Sequence, residues 1–141
     1  MTHPYGLVCR AARPTDATPL IVICLAKLDE IVPAIDAGRV LVAEHPQEGL
    51  VGYVQFSQRN GDGLIEMVFV AEFHRRAGFG KALLETLGEA GRRRGWGQVW
   101  ASLPASASAN LFFEGIGWQP GGITSRGVRL WHHTLEEDLH G

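Results

Sequence analysis

The stretch VAEFHRRAGFGKALLETL, from Val70 to Leu87, decides the fold of this chain. It follows an apolar segment, passes through a turn that contains Gly78 and Gly80, and continues with leucines at helical spacing. A glycine turn between a strand and a helix directs several free main-chain N–H groups to one point, and that point attracts phosphate. The positive charges beside the turn are those of Arg75, Arg76 and Lys81. The stretch therefore predicts a phosphate-binding turn, although glycine turns before helices also occur without a ligand.

Two common phosphate loops do not fit the same residues. A Walker A loop needs a glycine five positions before Gly80 and Ser or Thr after Lys81, but the chain has Arg75 and Ala82 there. A dinucleotide-binding fingerprint needs a third glycine three positions beyond Gly80, where Leu83 stands, and no βαβ pattern surrounds the turn. ATP binding through a P-loop and binding of a nicotinamide cofactor are both disfavoured.

Strands and helices can be assigned outward from the turn. The runs Val40–Glu44, Leu50–Ser57 and Leu64–Val70, joined by HPQEG and NGDG, predict a meander of antiparallel strands. Near the start of the chain, Thr15 or Asp16 caps a predicted helix that runs towards Leu28. The remaining predicted elements are strands at Leu7–Ala11, Gln98–Leu103 and Val128–Leu135, the last preceded by Trp118–Thr124, and helices at Asp29–Ala37, about Gly80–Arg94 and Ser108–Gly115. The pattern is that of a mixed α/β domain.

The composition excludes several classes of protein. A chain of 141 residues buries roughly two-thirds of its unfolded surface in one core. A formal net charge of -2 argues against a nucleic-acid partner. Two cysteines without a CxxC pair, and adjacent His132 and His133 that point to opposite faces of a strand, predict no metal site. No segment has the length of a membrane span or the form of a signal peptide, so we expect a cytoplasmic protein without membrane contact.

The central stretch resembles the main motif of the GNAT superfamily of N-acetyltransferases, in which Arg or Gln precedes x-x-Gly-x-Gly or Ala; Arg75, Gly78 and Gly80 match it. ANLFFEGIGW, from Ala109 to Trp118, is similar to the next motif of the family, and CRAARPTDA is similar to its first strand and helix start. The resemblance covers most of the chain in the family's order. It implies a GNAT-like α/β (α+β) fold, with a mostly antiparallel central sheet of about six to seven strands and about four helices, in a single domain over residues 1–141.

The resemblance also implies that the chain binds acetyl-coenzyme A as acyl donor. Main-chain groups near Val68, Phe69 and Val70 would hold the pantetheine arm, and amides from Arg76 to Lys81 would hold the pyrophosphate. The residues assigned in this way to cofactor binding are Val68, Phe69, Val70, Arg75, Arg76, Ala77, Gly78, Phe79, Gly80, Lys81 and Ser106.

Glu66 is the predicted general base. An alkylamine has a pKa of about 10.4, so a base must remove a proton before it can attack at neutral pH. Alternation along the predicted strand puts Glu66 on the side of Leu64, Val68 and Val70, and we expect this side to desolvate the carboxylate in part and raise its pKa. The position also resembles that of the base in histone-acetyltransferase-like members. An ordinary solvated or salt-bridged strand glutamate stays the alternative.

Phe113 departs from the family pattern, because many relatives have a tyrosine there that protonates the leaving sulfur. Proton transfer by a placed group is worth about 10²–10⁴-fold in rate. A thiol has a pKa of about 8.5, so the thiolate can leave and take its proton from water. Ser106, where many members have Asn, and Ala101, where some bacterial protein acetyltransferases have Glu, disfavour a specialist for ribosomal proteins.

The predicted function is therefore transfer of an acetyl group from acetyl-coenzyme A to a primary amine by direct attack, without a metal. The acceptor is a small-molecule amine or a protein amino group, which the sequence does not identify. Two other hypotheses stay open: a non-catalytic acyl-coenzyme A binding or sensing module, and a protein that binds no nucleotide and only pairs with another chain. The last-strand hairpin with Trp131 is a candidate surface for a homodimer.

Overall fold

The computed structural model describes residues 6–24, 28–71 and 78–135. In these ranges the elements follow the predicted order, with small shifts at their ends. The strands are β1 (Val8–Ala11), β2 (Val40–His45), β3 (Gly49–Arg59), β4 (Asp62–Val70), β5 (Gln98–Pro104), β6 (Gln119–Ile123) and β7 (Val128–Thr134). The helices are α1 (Ala17–Cys24), α2 (Leu28–Asp36), α3 (Phe79–Arg94) and α4 (Ala109–Gly115), with a 3₁₀ turn at Pro14–Asp16.

The strands of the described ranges form one sheet of seven, in the order β1-β2-β3-β4-β5-β7-β6. The pairs β1–β2, β2–β3, β5–β7 and β6–β7 are antiparallel, and β4 pairs with β5 in parallel. The predicted fold class, a mixed α/β domain with a mostly antiparallel sheet, is confirmed. Two compact units can be distinguished within these residues. The first takes in the chain up to Phe56 and Glu66–Leu87, and the second takes in Ser57–Ile65 and everything from Gly88 onward.

In the core of the first unit, one face of α1 and one face of α2 pack against β2 and β3. Helix α2 contributes side chains at the spacing of one helical face, and α1 adds Leu20 beside them. Each such buried aliphatic side chain stabilises the fold by about 1.5–3 kcal/mol. The buried members of this core are Ala17, Leu20, Ile31, Ala34, Ile35, Val40, Val42 and Tyr53.

The predicted helix towards Leu28 begins later than the sequence pattern suggests, and its predicted stretch over residues 25–27 lies outside the described residues. A 3₁₀ turn at Pro14–Asp16 precedes α1, and α1 ends at Cys24. The N-cap is Arg13 and not Thr15 or Asp16 as predicted: the carboxylate of Asp16, three residues further on, accepts the main-chain N–H of Arg13 at 2.7 Å. It also accepts two hydrogen bonds from the Arg10 guanidinium, so Asp16 is held by β1 and closes a tight turn ahead of the helix.

The β3–β4 hairpin has the turn that NGDG predicts. Asn60 and Gly61 both have positive φ angles, 54° and 79°, as a two-residue type I′ turn requires. In the second unit, a Cβ at Gly63 or at Gly91 would overlap the ring of Trp96. The glycine inside α3, which weakens the helix by propensity, therefore makes room for a buried tryptophan. None of the helices in the described ranges is both long and apolar enough to cross a bilayer.

Candidate functional site

The second half of β4, Glu66–Val70, lies in the first unit and is irregular. The ladder with β5 pairs Gly63 with Val99 and Leu64 with Trp100, in the first part of the strand. Beyond the end of β4, the N–H of Ala71 donates to the carbonyl of Val51 at 2.7 Å. In a regular hairpin around the turn Asn60-Gly61, Val70 and not Ala71 would stand opposite Val51. The β4 strand therefore contains one residue more than β3 between the turn and this hydrogen bond. Such a bulge redirects main-chain groups locally and is often found beside functional sites.

Gly52 on β3 joins this end of β4 to α3. A Cβ at Gly52 would lie 2.6 Å from the carbonyl oxygen of Phe69 and 3.4 Å from both the Cα of Val70 and a methyl group of Leu83. Only glycine allows strand and helix to approach so closely. The Phe69 ring itself packs against the first-unit core, with its centroid 6.5 Å from that of Tyr53. The main chain of Phe69 at this strand end therefore lies directly against Gly52.

Helix α3 begins directly after Gly78, whose φ of 87° is the left-handed conformation that glycine adopts easily. The Gly78 carbonyl accepts the first helical bond, from Ala82 N–H at 3.0 Å. The amides of Gly80 and Lys81 thus belong to the first turn, where N–H groups have no acceptor inside the helix. The Lys81 side chain is 60% exposed and has only a long contact, 3.9 Å, with Glu85. Arg75, Arg76 and Ala77 lie outside the described residues.

Phe79 contributes its main chain alone to this surface. Its side chain is buried, and its ring centroid is 6.1 Å from that of His45 at the end of β2. The His45 Nδ1 in turn accepts the N–H groups of Gln47 and Glu48, at 3.2 and 3.3 Å. The first turn of α3 is therefore fixed by a buried side chain while its outer face carries amides and one lysine.

Glu66 projects from β4 into solvent and is paired with a cation. Its side chain is 38% exposed, and its Oε1 accepts Arg39 Nη1 at 2.9 Å and Gln55 Nε2 at 3.3 Å. The carboxylate is therefore partly covered, and the groups that contact it are polar side chains. The predicted alternation of Leu64, Glu66, Val68 and Val70 does not continue through the bulge, because the ring of Phe69 packs on Tyr53, on the face of the sheet that also carries Gln55 and Glu66.

Arg39 and Gln55 are the site residues that the sequence reasoning missed. Gln55 stands opposite Val40 in the β2–β3 ladder, and Arg39 immediately precedes β2. The alternating pattern of a strand tells which side a residue occupies, but it does not tell which residues of neighbouring strands share that side. The one available signal was the position of Arg39 directly after Gly38, a glycine predicted to end a helix.

Phe113 is a core residue of the second unit. It is 0% exposed and packs against Trp118 and Trp131, with ring centroids 5.0 and 6.1 Å away. Ser106 lies exposed in the loop between β5 and α4. The Nδ2 of Asn110 donates to three carbonyls of this loop, and its Oδ1 accepts the indole N–H of Trp131 at 2.9 Å. An amide side chain thus organises the loop that carries Ser106.

The adjacent histidines of β7 have separate aromatic partners. His132 lies against Trp100 with ring centroids 4.7 Å apart, and His133 stacks on Trp118 at 5.6 Å. They point to opposite faces of the strand, as the sequence predicts. Within the described ranges, no group of three or more His, Cys, Asp or Glu side chains is arranged to hold a metal ion.

Comparisons with known proteins agree with this arrangement. A family model described as an acetyltransferase (GNAT) domain matches residues 36–120. Among solved structures, N-acetylglutamate synthase from Neisseria gonorrhoeae, complexed with coenzyme A and N-acetyl-glutamate, superposes with a TM-score of 0.79 at 15% identity, over 93% of this chain and 35% of the synthase. This chain therefore spans about a third of that protein. A search of curated protein sequences finds no significant match.

Two further structures are matched over nearly their full length. PaiA N-acetyltransferase from Thermoplasma acidophilum, in complex with coenzyme A, gives a TM-score of 0.80 at 11% identity, over 91% of this chain and 98% of its own. Ribosomal-protein-alanine N-acetyltransferase from Brucella melitensis gives 0.76 at 21% identity, over 91% and 99%. These likenesses show the fold, and the family match confirms the resemblance seen in the sequence.

Proposed function

The chain belongs to the GNAT family of acetyltransferases, and we propose that it transfers an acetyl group from acetyl-coenzyme A to a primary amine by direct attack. The observation that carries the proposal is the junction in the first unit at Gly52, where the bulged end of β4 and helix α3 approach each other. A strand end with displaced main-chain groups, next to a helix whose first-turn amides face outward, suits a long ligand with a phosphate in its middle.

In this proposal, coenzyme A lies along the junction. Main-chain groups of Val68–Val70 hold the pantetheine arm by adding it alongside the strand. The amides from Arg76 to Lys81, with the charges of Arg75, Arg76 and Lys81, hold the pyrophosphate. Ser106 is assigned to the cofactor on the family resemblance alone. The two units act together as a single transferase domain over residues 1–141.

Glu66 acts as the base of the reaction. Its exposed carboxylate takes a proton from the acceptor ammonium, directly or through water. The neutral nitrogen then attacks the thioester carbonyl, a C–N bond forms, and the oxygen carries negative charge that a main-chain N–H at the end of β4 stabilises. The C–S bond breaks as the carbonyl re-forms, and the nitrogen releases its second proton to water, which leaves a neutral amide. Phe113 has no proton to give and is buried in the second unit, so the thiolate takes its proton from water.

Coenzyme A binding can be tested by thermal shift. A ligand at about 100 times its dissociation constant adds about 2.7 kcal/mol of stability, so coenzyme A is expected to raise the Tm clearly. Lys81→Glu reverses the charge in the first turn of α3, where the helix dipole favours an acidic residue, and is expected to weaken coenzyme A binding about tenfold without loss of fold. The matched control is Arg59→Glu, the same charge change at an exposed residue at the end of β3.

Turnover is then measured as thiol release from acetyl-coenzyme A with a panel of primary amines. Coenzyme A binding together with amine-dependent thiol release supports the proposal. Binding without turnover above buffer identifies the rival, a non-catalytic acyl-coenzyme A binding or sensing module. A Tm unchanged at millimolar coenzyme A contradicts both.

A further inference from the structure

The ion pair between Arg39 and Glu66 is the feature of the first unit from which an acceptor class can be inferred. The two side chains are 35% and 38% exposed, and their charged atoms are 2.9 Å apart. A fully structural ion pair is normally more buried and engages both groups through several atoms. This one presents a positive and a negative group side by side to solvent, at the carboxylate that serves as base in the proposed function.

The main chain of Arg39 is held by hydrogen bonds, which fixes the point from which its side chain extends. Helix α2 ends in a Schellman motif: Gly38, with φ of 73°, donates to Ile35 O at 3.0 Å, and Arg39 N–H donates to Ala34 O at 2.8 Å. The Arg39 carbonyl accepts the N–H of Phe56 on β3 at 3.0 Å. Because both main-chain groups of Arg39 are engaged, the residue leaves the helix in one direction.

Both charged groups keep capacity for a ligand. The guanidinium uses Nη1 for Glu66 and, at 3.4 Å, for the carbonyl of Phe56. Its Nη2 and Nε have no hydrogen-bond partner among residues 6–24, 28–71 and 78–135. The carboxylate accepts both of its bonds, from Arg39 and Gln55, on Oε1, and Oε2 has no partner in the same ranges. An open guanidinium fork and an open carboxylate oxygen therefore lie next to each other.

We propose that the acceptor is a free α-amino acid, whose ammonium binds Glu66 and whose carboxylate binds Arg39. This inference rests on the proposed function, since it assumes that Glu66 receives the acceptor proton. In an α-amino acid the nitrogen and the carboxylate are attached to one carbon atom, so its two charges are as close together as those of the ion pair. The ammonium can then face Glu66 while the carboxylate faces Arg39. A planar guanidinium binds a carboxylate through two parallel N–H donors, a geometry that an amide or a plain amine cannot reproduce.

Charge complementarity also disfavours other amines at this position. An acceptor without a carboxylate would place its ammonium and the Arg39 cation beside the one carboxylate of Glu66, and like charges at such a site select against the wrong ligand. A peptide N-terminus has its first carboxyl group converted to an amide, so it lacks the group that Arg39 recognises. A charge-assisted hydrogen bond of this kind corresponds to about 10- to 100-fold in affinity.

The test compares acceptors that differ only at the carboxylate. The twenty standard L-amino acids are screened by thiol release, and each one that reacts is compared with its amide and its decarboxylated amine, for example phenylalanine, phenylalaninamide and phenethylamine. We expect kcat/KM to be about 10- to 100-fold higher for the acid than for the amide and the amine. Equal use of the three, or reaction of amines and peptides without reaction of any amino acid, would overturn the inference.

Arg39→Gln provides the second arm. It is expected to raise KM for the amino acid about 10- to 100-fold, with a much smaller change in kcat, and to leave the amide unchanged; Arg39→Lys restores part of the loss. Arg59→Gln, the same charge change at the end of β3, is the control and should move neither substrate. If Arg39→Gln slows acid and amide equally, the arginine has only a structural role and the inference fails.

Failure of the proposed function itself would look different. A protein that coenzyme A does not stabilise has lost the transferase assignment before any acceptor is considered. Where coenzyme A binds and nothing turns over, the same acids and amides are titrated calorimetrically into the coenzyme A complex. Tighter binding of an acid than of its amide, abolished by Arg39→Gln, upholds the inference, and equal or absent binding of both overturns it.

Discussion

Two of the arginine–carboxylate pairs in the described part of the first unit, Arg10–Asp16 and Arg39–Glu66, differ in burial and in the number of their partners. Arg10 and Asp16 are 19% and 10% exposed and share two hydrogen bonds, at 2.7 and 3.1 Å. Arg39 and Glu66 are about twice as exposed or more, and they share one, at 2.9 Å. In the first pair the carboxylate also accepts the main-chain N–H of Arg13, and the arginine also contacts Glu44 at 3.5 Å.

The difference separates a structural pair from one that can exchange partners. Asp16 is buried, and the hydrogen bonds from the Arg10 side chain lower the pKa of its carboxyl below the ordinary value despite that burial. Its partners tie β1 to the turn that starts α1. Arg39 and Glu66 both have accessible atoms. An added carboxylate can therefore take the place of Glu66 beside Arg39, and an added ammonium can take the place of Arg39 beside Glu66. Burial and the number of partners, more than the distance, decide which role an ion pair has.

The largest contrast is expected in turnover. Glu66→Gln removes the proposed base and is expected to lower kcat by about 10²–10⁴-fold and to change the pH profile of kcat/KM, while coenzyme A still binds. Asp16→Asn, the same chemical change in the other pair, is expected to leave kcat unchanged when activity is divided by the amount of folded protein. Steady-state kinetics at several pH values, with the folded fraction determined separately, measures both. An unchanged pH profile for Glu66→Gln would remove Glu66 from the mechanism.

The two variants should also differ in stability, and here Asp16→Asn is expected to have the larger effect. Asp16→Asn removes the nearer counter-charge of the largely buried Arg10 guanidinium and leaves the longer contact with Glu44, and we expect the free energy of unfolding to fall by about 3 kcal/mol. Glu66→Gln breaks an exposed pair, so we expect a change below about 1 kcal/mol. Urea unfolding of both variants checks the difference. Equal losses would mean that exposure does not distinguish the pairs.

Acid should act on the Asp16 pair in a defined pH range. Because the folded-state pKa of Asp16 is lower than its unfolded value, the pair's contribution is complete above the unfolded pKa of about 3.9 and is lost as pH falls towards the folded value. The stability difference between the wild type and Asp16→Asn should therefore be constant from pH 7 to 5 and shrink below about pH 4. Urea unfolding at each pH measures it, and a difference that persists undiminished at the lowest pH contradicts the assignment.

The smallest effect is expected for Arg39→Gln on stability. An exposed ion pair contributes about 0–1 kcal/mol and is screened by salt, so the variant should unfold within about 1 kcal/mol of the wild type, with any difference reduced at high salt. The same unfolding measurement at low and high ionic strength decides this. A loss as large as that of Asp16→Asn would place Arg39 in the structural class and weaken the proposed acceptor.

Local sequence signals predicted much of the fold, because they concern residues close together in the chain. Asn60-Gly61 specified the hairpin between β3 and β4, Gly38 specified the end of α2, and the glycines before α3 marked the start of that helix. The predicted order of elements is confirmed for this reason.

The contacts that define the site could not be predicted, because they join residues distant in sequence. Arg39 and Glu66 meet only when β2, β3 and β4 lie side by side, and Asp16 meets Arg10 only when β1 is placed against the following turn. Strand alternation could not show that Glu66 is paired with Arg39 and Gln55, because these partners come from other parts of the sheet. The assigned cofactor residues stay a prediction that coenzyme A binding must test.

The most direct test of the account is the mass-spectrometric analysis of the products formed from acetyl-coenzyme A and a mixture of the standard L-amino acids. We expect an N-acetylated amino acid and free coenzyme A in equal amounts, with both reduced about 10²–10⁴-fold in Glu66→Gln. Acetyl-coenzyme A that is bound but recovered intact, with no acetylated amine formed, would contradict it.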